Sequence, residues 1–296
     1  MSAMPEPDRT IGYLAQLACT WEVLARKAGN VCPGREFPDL TVNDFLLSAA
    51  AIAPVLEQAP RQPLGITILR CIEETRKVVN TNTNLGIVLL LAPLASVPLD
   101  QPLEPGLKRV LEHTTVEDSR NVYTAIRLAK PGGLGEVKEQ DVRAEPTLPL
   151  RDVMTLAKER DQIAAQYATV FTTVFDLQDR LVRVAKRHGN IERAIIDAQL
   201  EFLTRYVDSL VSRKLGFVRA ARIGVWARVI IDAGGPVTWH GRPRYRAFDA
   251  WLRSDNHARN PGTTADLIAA ALFVALRENR IPLTMPFVWE EHPFAG

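Results

Sequence analysis

At 296 residues the chain can bury an ample core, and its 36 Lys and Arg against 34 Asp and Glu leave a formal charge of only +2, too small to bind a polyanion by overall charge. The three cysteines, Cys19, Cys32 and Cys71, are odd in number and show no CxxC or Cys/His ligand spacing, which argues against a disulfide framework or structural zinc and for reduced thiols in the cytoplasm. The longest apolar run, residues 85–99, is too short to span a bilayer and contains Pro93 and Pro98, so neither a membrane nor nucleic acid is expected as a partner.

Residues 1–8 are acidic and proline-rich without an apolar h-region, and are expected to form a disordered N-terminus rather than a secretory signal. Helical spacing then dominates. Apolar residues repeat at three and four from Ile11 to Lys27, and Ala28-Gly29-Asn30 is the stop. After an irregular stretch, Thr41 caps a second helix with the stripe Val42, Phe45, Leu46, Ala49, Ile52, Ala53 and Leu56. A third runs from Leu64 to Val79, and a short one from Leu103 to His113. Thr115 to Asp118 reads as a capping box with Asp in place of Glu, opening a helix that runs to Lys130 and stops at Pro131-Gly132-Gly133. Glu136 to Pro149 is a charged loop without a period. Two long helices are expected over Leu150–Lys186 and Ile191–Val211, and another over Phe217–Ala233. Residues 234–261 read as irregular and arginine-rich. Thr263 or Thr264 then caps a last helix, Ala265 to Glu278, apolar nearly all round and therefore central. No run alternates at period two for long enough to make a strand. The expected fold is an all-α, single-domain multi-helix bundle over residues 9–280, with polar inter-helix turns lining a central cleft and an irregular tail over 281–296.

The common phosphate-loop, dinucleotide, zinc-protease and nucleophile-elbow signatures are missing, and the five histidines (His113, His188, His240, His257, His292) never fall at helix-ligand spacing. What stands out is Asn80-Thr81-Asn82-Thr83-Asn84-Leu85-Gly86 running into the apolar segment from Ile87. Asn and Thr compete for nearby backbone groups and resist helix formation, and one cap residue would have sufficed, so the surplus reads as pocket lining. Three further polar turns adjoin helix ends: Lys27 to Val31 with Phe37 to Leu40, Lys130 to Glu136, and Asn260 to Leu267. Free amides at helix N-termini receive phosphate and glycines allow close backbone approach, which makes Pro261-Gly262-Thr263-Thr264 the best such corner.

Asp39, Asp44, Glu136, Asp141, Glu145, Asp161 and Asp266 lie in or beside these turns, and magnesium held by a triphosphate needs only one or two carboxylates. Met154, Lys158, Asp161 and Ala165 fall at steps of four, three and four, so Lys158 and Asp161 are expected on one helix face as an ion pair or as site residues. From Arg213 to Arg259 ten Lys and Arg oppose three Asp, a patch suited to an acidic ligand or simply solvated.

In these turns the sequence resembles the triphosphoribosyl-dephospho-CoA synthases, from about Gly29 to Leu276. The segment Val79 to Gly86 resembles the family's V-N-T-H-K-G. Gly132-Gly133-Leu134-Gly135-Glu136 is similar to its G-G-A-R-G-E, Pro261 to Leu267 to its P-G-G-S-A-D-L, and Ala28 to Val31 to its K-P-G-L-V. The family His and Lys fall on Asn82 or Asn84 and on Leu85, Ala28 stands for the family proline, and the family Arg has no counterpart. The resemblance implies an all-helical enzyme that moves the triphosphoribosyl group of ATP to the 2′-hydroxyl of 3′-dephospho-CoA and releases adenine. The missing cations leave open a related ribosyl transfer or hydrolysis on another nucleotide or pterin in methanopterin-type one-carbon cofactor synthesis, or a non-catalytic nucleotide-binding protein.

For that reaction Asp39 or Asp161 is the expected base or oxocarbenium partner, with Asn80, Asn82 and Asn84 on adenine or ribose. Lys130, Lys158 and the backbone of Gly132, Gly133, Gly262, Thr263 and Thr264 would hold phosphate, and Mg2+ would sit on Glu136, Asp141 or Asp266. The expected partners are ATP and dephospho-CoA or an analogue, with a homodimer left open.

Overall fold

The computed structural model describes residues 9–132 and 139–288, so the expected N-terminus at 1–8, Gly133, Glu136 and residues 289–296 of the tail lie outside the described residues. The helices are α1 (Ile11–Leu24), α2 (Val42–Glu57), α3 (Leu64–Val78), α4 (Leu85–Ala95), α5 (Leu103–Glu112), α6 (Val116–Ala129) and α7 (Leu150–Ala157). They continue as α8 (Gln162–Thr169), α9 (Thr172–His188), α10 (Ile191–Leu203), α11 (Ser209–Leu215), α12 (Phe217–Asp232), α13 (Gly241–Arg253) and α14 (Gly262–Arg277). Among the described residues the only β-type pairings are two isolated bridges, Cys32 with Arg35 and Phe37 with Leu40, so the fold is all-α.

Two helices without a polar face set the centre. Thirteen of the sixteen residues of α14 are buried, as are ten of the eleven in α4, and burial on every side is the only way such segments leave water. Helices α1, α4, α9 and α10 pack round α14. At its far end buried Arg277 donates to the carbonyls of Val97 and Pro98 at 2.7 and 2.8 Å, satisfying chain that leaves α4. A second cluster, with Ile223, Ala227, Ile230, Tyr245, Phe248 and Leu252, joins α10, α12 and α13. The expected cap at Thr41 is present and forms a capping box with Asp44, and the expected capping box at Thr115 with Asp118 is present.

Five expectations about helix limits are corrected. α1 ends at Leu24, because the chain beyond is pinned by buried ion pairs, Arg26 to both oxygens of Glu192 at 2.6 Å and Lys27 to Glu22 at 2.8 Å. Gly29, at φ +76°, is a docking point rather than a helix stop, its amide donating to the buried Asp249 at 2.8 Å. The span Leu150–Lys186 is three helices: Asp161 caps a new start at α8, and Val170 and Phe171 take left-handed backbone angles of 51° and 60° before α9. Lys158 and Asp161 therefore do not share a helix face, one following α7 and the other preceding α8. The span Ile191–Val211 breaks after Leu203 and restarts at α11, where Asp208 is the cap. The arginine-rich segment read as irregular contains α13, whose buried face carries Tyr245, Phe248 and Leu252. The last helix begins at Gly262 after Pro261, so Thr263 and Thr264 lie inside its first turn rather than capping it.

Candidate functional site

Where α4 and α14 begin, they face α6, α7, α8 and α11 across a cleft of about 730 Å³. The turn at Phe37–Leu40, the end of α6 at Lys130, residues 139–142 and the turn at residues 256–257 complete the rim. The cleft brings together Asp39, Asn82, Lys130, Gly132, Asp141, Asp161, Thr263 and Asp266, drawn from segments more than two hundred residues apart. Asn80, Asn84, Lys158, Gly262 and Thr264 do not line it.

Each absence has a local cause. Asn80 and Lys158 are exposed elsewhere. Asn84 is buried and donates to Thr75 Oγ1 at 3.0 Å, leaving its Oδ1 buried without a partner, while Thr83 pairs with Ser48 at 2.6 Å. Of the Asn/Thr stretch only Thr81 and Asn82 reach the cleft, and Asn82 Oδ1 also accepts the Leu85 amide at 3.2 Å, capping α4. The Gly262 amide is taken by the Asn260 carbonyl at 2.8 Å. Asp208 takes both the amide and the hydroxyl of Thr264, at 2.8 and 2.7 Å. The expectation that the Thr264 amide is open to phosphate is thus corrected: a buried carboxylate already fills that place. Burial raises Asp208 above the ordinary carboxylate value, and its bonds to Thr264 and Val211 work in the other direction.

Asp161 is similarly engaged. Its Oδ1 accepts the amides of Ile163 and Ala164 at 2.8 and 3.1 Å, and its Oδ2 meets Arg213 at 2.5 Å. These contacts hold the carboxylate at the cleft and fasten α8 to α11. Asp141 accepts Arg143 on both oxygens. Asp39 stands exposed on its turn.

Asp266, one turn into α14, sits against the first turn of α4. A Cβ at Gly86 would run into its carboxylate and into Ile163 Cδ1, so glycine is what lets the Asp266 carboxyl lie where it does. Burial pushes Asp266 well above the ordinary carboxylate value; Glu22, Asp208 and Asp161 push the same way, and Arg213 opposes them. Glu22 is paired with Lys27, Asp208 with Thr264 and Asp161 with Arg213, so burial remains the leading cause of the Asp266 shift.

The cationic side chains at the cleft are Lys130, Arg160, Arg213 and Lys214. Nothing in the sequence singles out Arg160, Lys214 or Tyr123, and His257 stands there only as one of five scattered histidines. Lys214 and His257 lie within the basic tract at 213–259, which signalled an acidic ligand but not which cations face it. Tyr123 is buried and donates to the Gln140 carbonyl, which holds the 139–142 rim against α6. Among the described residues no group of three or more His, Cys, Asp or Glu is placed to hold a metal ion, and no helix is long and apolar enough to cross a membrane.

Comparison with known proteins gives a consistent result. The family model described as CitG, ATP:dephospho-CoA triphosphoribosyl transferase, matches residues 8–284. A protein of Pseudomonas fluorescens assigned as 2-(5''-triphosphoribosyl)-3'-dephosphocoenzyme-A synthase is 36% identical over 90 residues, 30% of this chain and 30% of its own. A Pseudomonas savastanoi relative with the same assignment is 25% identical over 167 residues, 53% of each chain. The alignments thus span between about a third and a half of these relatives' length. A crystal structure assigned as a triphosphoribosyl-dephospho-coA synthase from Archaeoglobus fulgidus superposes with a TM-score of 0.63 at 28% identity, covering 79% of this chain and 98% of that one.

Proposed function

This chain belongs to the ATP:dephospho-CoA triphosphoribosyl transferase family, and from that membership we propose that it transfers the 5-triphosphoribosyl group of ATP to the 2′-hydroxyl of 3′-dephospho-CoA. The bond from ribose C1′ to adenine N9 breaks, a bond from C1′ to the acceptor oxygen forms, and the acceptor's proton balances the charge on the departing adenine. The observation that carries this reading is the family match over residues 8–284.

The transition state gathers positive charge at C1′, so an ionised carboxylate nearby and cations along the triphosphate lower the barrier. Asp161 suits the first task because Arg213 and two amides fix its carboxyl group at the cleft. The same contacts occupy both its oxygens, which leaves Asp39, exposed on its turn, as the base for the acceptor hydroxyl. Lys130, Arg160 and Lys214 would take triphosphate oxygens, and Asn82 a ribose hydroxyl. Magnesium is implied by the triphosphate. Asp266 fits it as a cleft carboxyl beside the proposed phosphate site, whereas Asp141 is tied to Arg143. Bound there, the ion would supply positive charge to the phosphates. The three free, buried cysteines accord with a cytoplasmic setting.

Incubation with ATP, magnesium and dephospho-CoA, followed by chromatography for free adenine, tests the activity. Asp39→Ala should slow adenine release by about two to four orders of magnitude; release at the parental rate removes Asp39 from the role of base. A second reading, transfer to a different nucleotide or pterin acceptor, is favoured by Asn82 and Leu85 lining the cleft where the family has His and Lys. Adenine release that needs such an acceptor in place of dephospho-CoA would establish it.

A further inference from the structure

At one end of the cleft two rings lie flat against each other. The Phe37 and His257 centroids are 3.8 Å apart and their planes 21° from parallel, and both residues line the cleft. Phe37 is anchored from behind in a small core with Val23 and Val31. Arg253 lies over the Phe37 ring, 5.5 Å from its centroid. That guanidinium is itself fixed by Asp249 at 2.9 Å and by the carbonyls of Asn30 and Arg35. Asn256 and His257 both adopt left-handed backbone, at φ 47° and 58°, a conformation that is costly away from glycine, and it sets the imidazole over the phenyl ring. Burial and Arg253 lower the imidazole's pKa, so the ring is neutral at physiological pH and stacks without having to shed the hydration of a charge.

Aliphatic side chains would fill such a corner as well as a ring pair would, but only a flat, rigidly backed ring offers a face to a planar ligand. Both substrates of the proposed reaction carry an adenine. Resting on that reading, we propose that His257, backed by Phe37, is the platform on which an adenine base stacks in this cleft. The sandwich fixes the base by its π face, and the cations at Lys130, Arg160 and Lys214 take the phosphates elsewhere along the cleft.

Calorimetric titration of the full chain with adenosine, tripolyphosphate, ATP and dephospho-CoA tests this. His257→Ala should weaken adenosine roughly tenfold or more and leave tripolyphosphate unchanged, while His257→Phe keeps adenosine affinity. The arm that weakens in parallel, ATP or dephospho-CoA, identifies the substrate that supplies the base. Parental affinity of His257→Ala for all three adenine ligands overturns the platform. If the parent chain releases adenine and His257→Ala matches it in every titration, the platform falls and the transferase reading stands. If adenosine binding depends on His257 but the parent turns over no ATP, the transferase reading falls and the platform stands. A parent that binds no adenine ligand removes both.

Discussion

On one side of the cleft Asn82, Gly86, Thr263 and Asp266 stand at the first turns of α4 and α14, helices with almost no surface in water. On the other, Arg160, Asp161 and Arg213 stand at the ends of short helices whose charged groups face solvent. The inner wall is located by close packing, which tolerates neither an added methyl group nor a shifted backbone. The outer wall is located by caps and half-exposed ion pairs, each worth little to stability. Activity and stability should therefore fall together when the inner wall is altered and separate when the outer wall is.

The strongest way to break that contrast is Gly86→Ala. The added carbon collides with the Asp266 carboxyl, and a displacement of about 1 Å in a site can cost on the order of a hundredfold in rate. A fall of that size in kcat/KM for adenine release, with a lowered thermal midpoint, is expected; parental kinetics would show that the inner wall gives way. Next is Thr264→Val, which takes one hydrogen bond from the buried Asp208 joining α11 to α14, and should cost about 1–3 kcal/mol in urea unfolding.

Asp266 gives a pH signature. Its carboxyl is raised in the folded chain above the ordinary 3.8, so the native state binds the proton more tightly than the unfolded one. The resulting stability is complete below that ordinary value and is lost as pH rises through the folded value. Asp266→Asn does not titrate, so in metal-free buffer it should unfold at higher urea than the parent at about pH 7–8, the gap closing toward acid pH. A gap that widens toward acid pH would mean the carboxylate is ionised and relieved in the fold. The smallest effect on stability is expected from Arg213→Ala. Its half-exposed pair with Asp161 is worth less than about 1 kcal/mol, yet KM for ATP should rise several-fold and that rise should shrink at high salt.

The inner wall was largely legible in the sequence. A helix apolar nearly all round can only be central, and Asp266 and Gly86 lie within α14 and α4, the two most fully buried of the described helices. The outer wall was not. Apolar spacing continues through residues 150–186, so periodicity gives one helix where Asp161, Val170 and Phe171 make breaks. A cap looks like any aspartate until its amides are seen. The polar surplus at residues 80–84 reads as a pocket, yet most of it is spent on Thr75, Ser48 and the α4 amide, because a buried helix start has backbone groups and neighbours that need partners as much as a ligand does. Asp208 escaped notice for the same reason: its role exists only once α11 and α14 are side by side.

The placement of Asp266 one turn into α14 has a consequence for hydrogen exchange. The amides from Asp266 onward belong to a helix buried on nearly every side, which should open only with the whole molecule, so they should be among the last to exchange, whether or not substrate is present. The amides of α8, a short helix on the cleft's other bank, can open locally, so a footprint of bound nucleotide would be written in deuterium along residues 162–169 and be almost silent along α14.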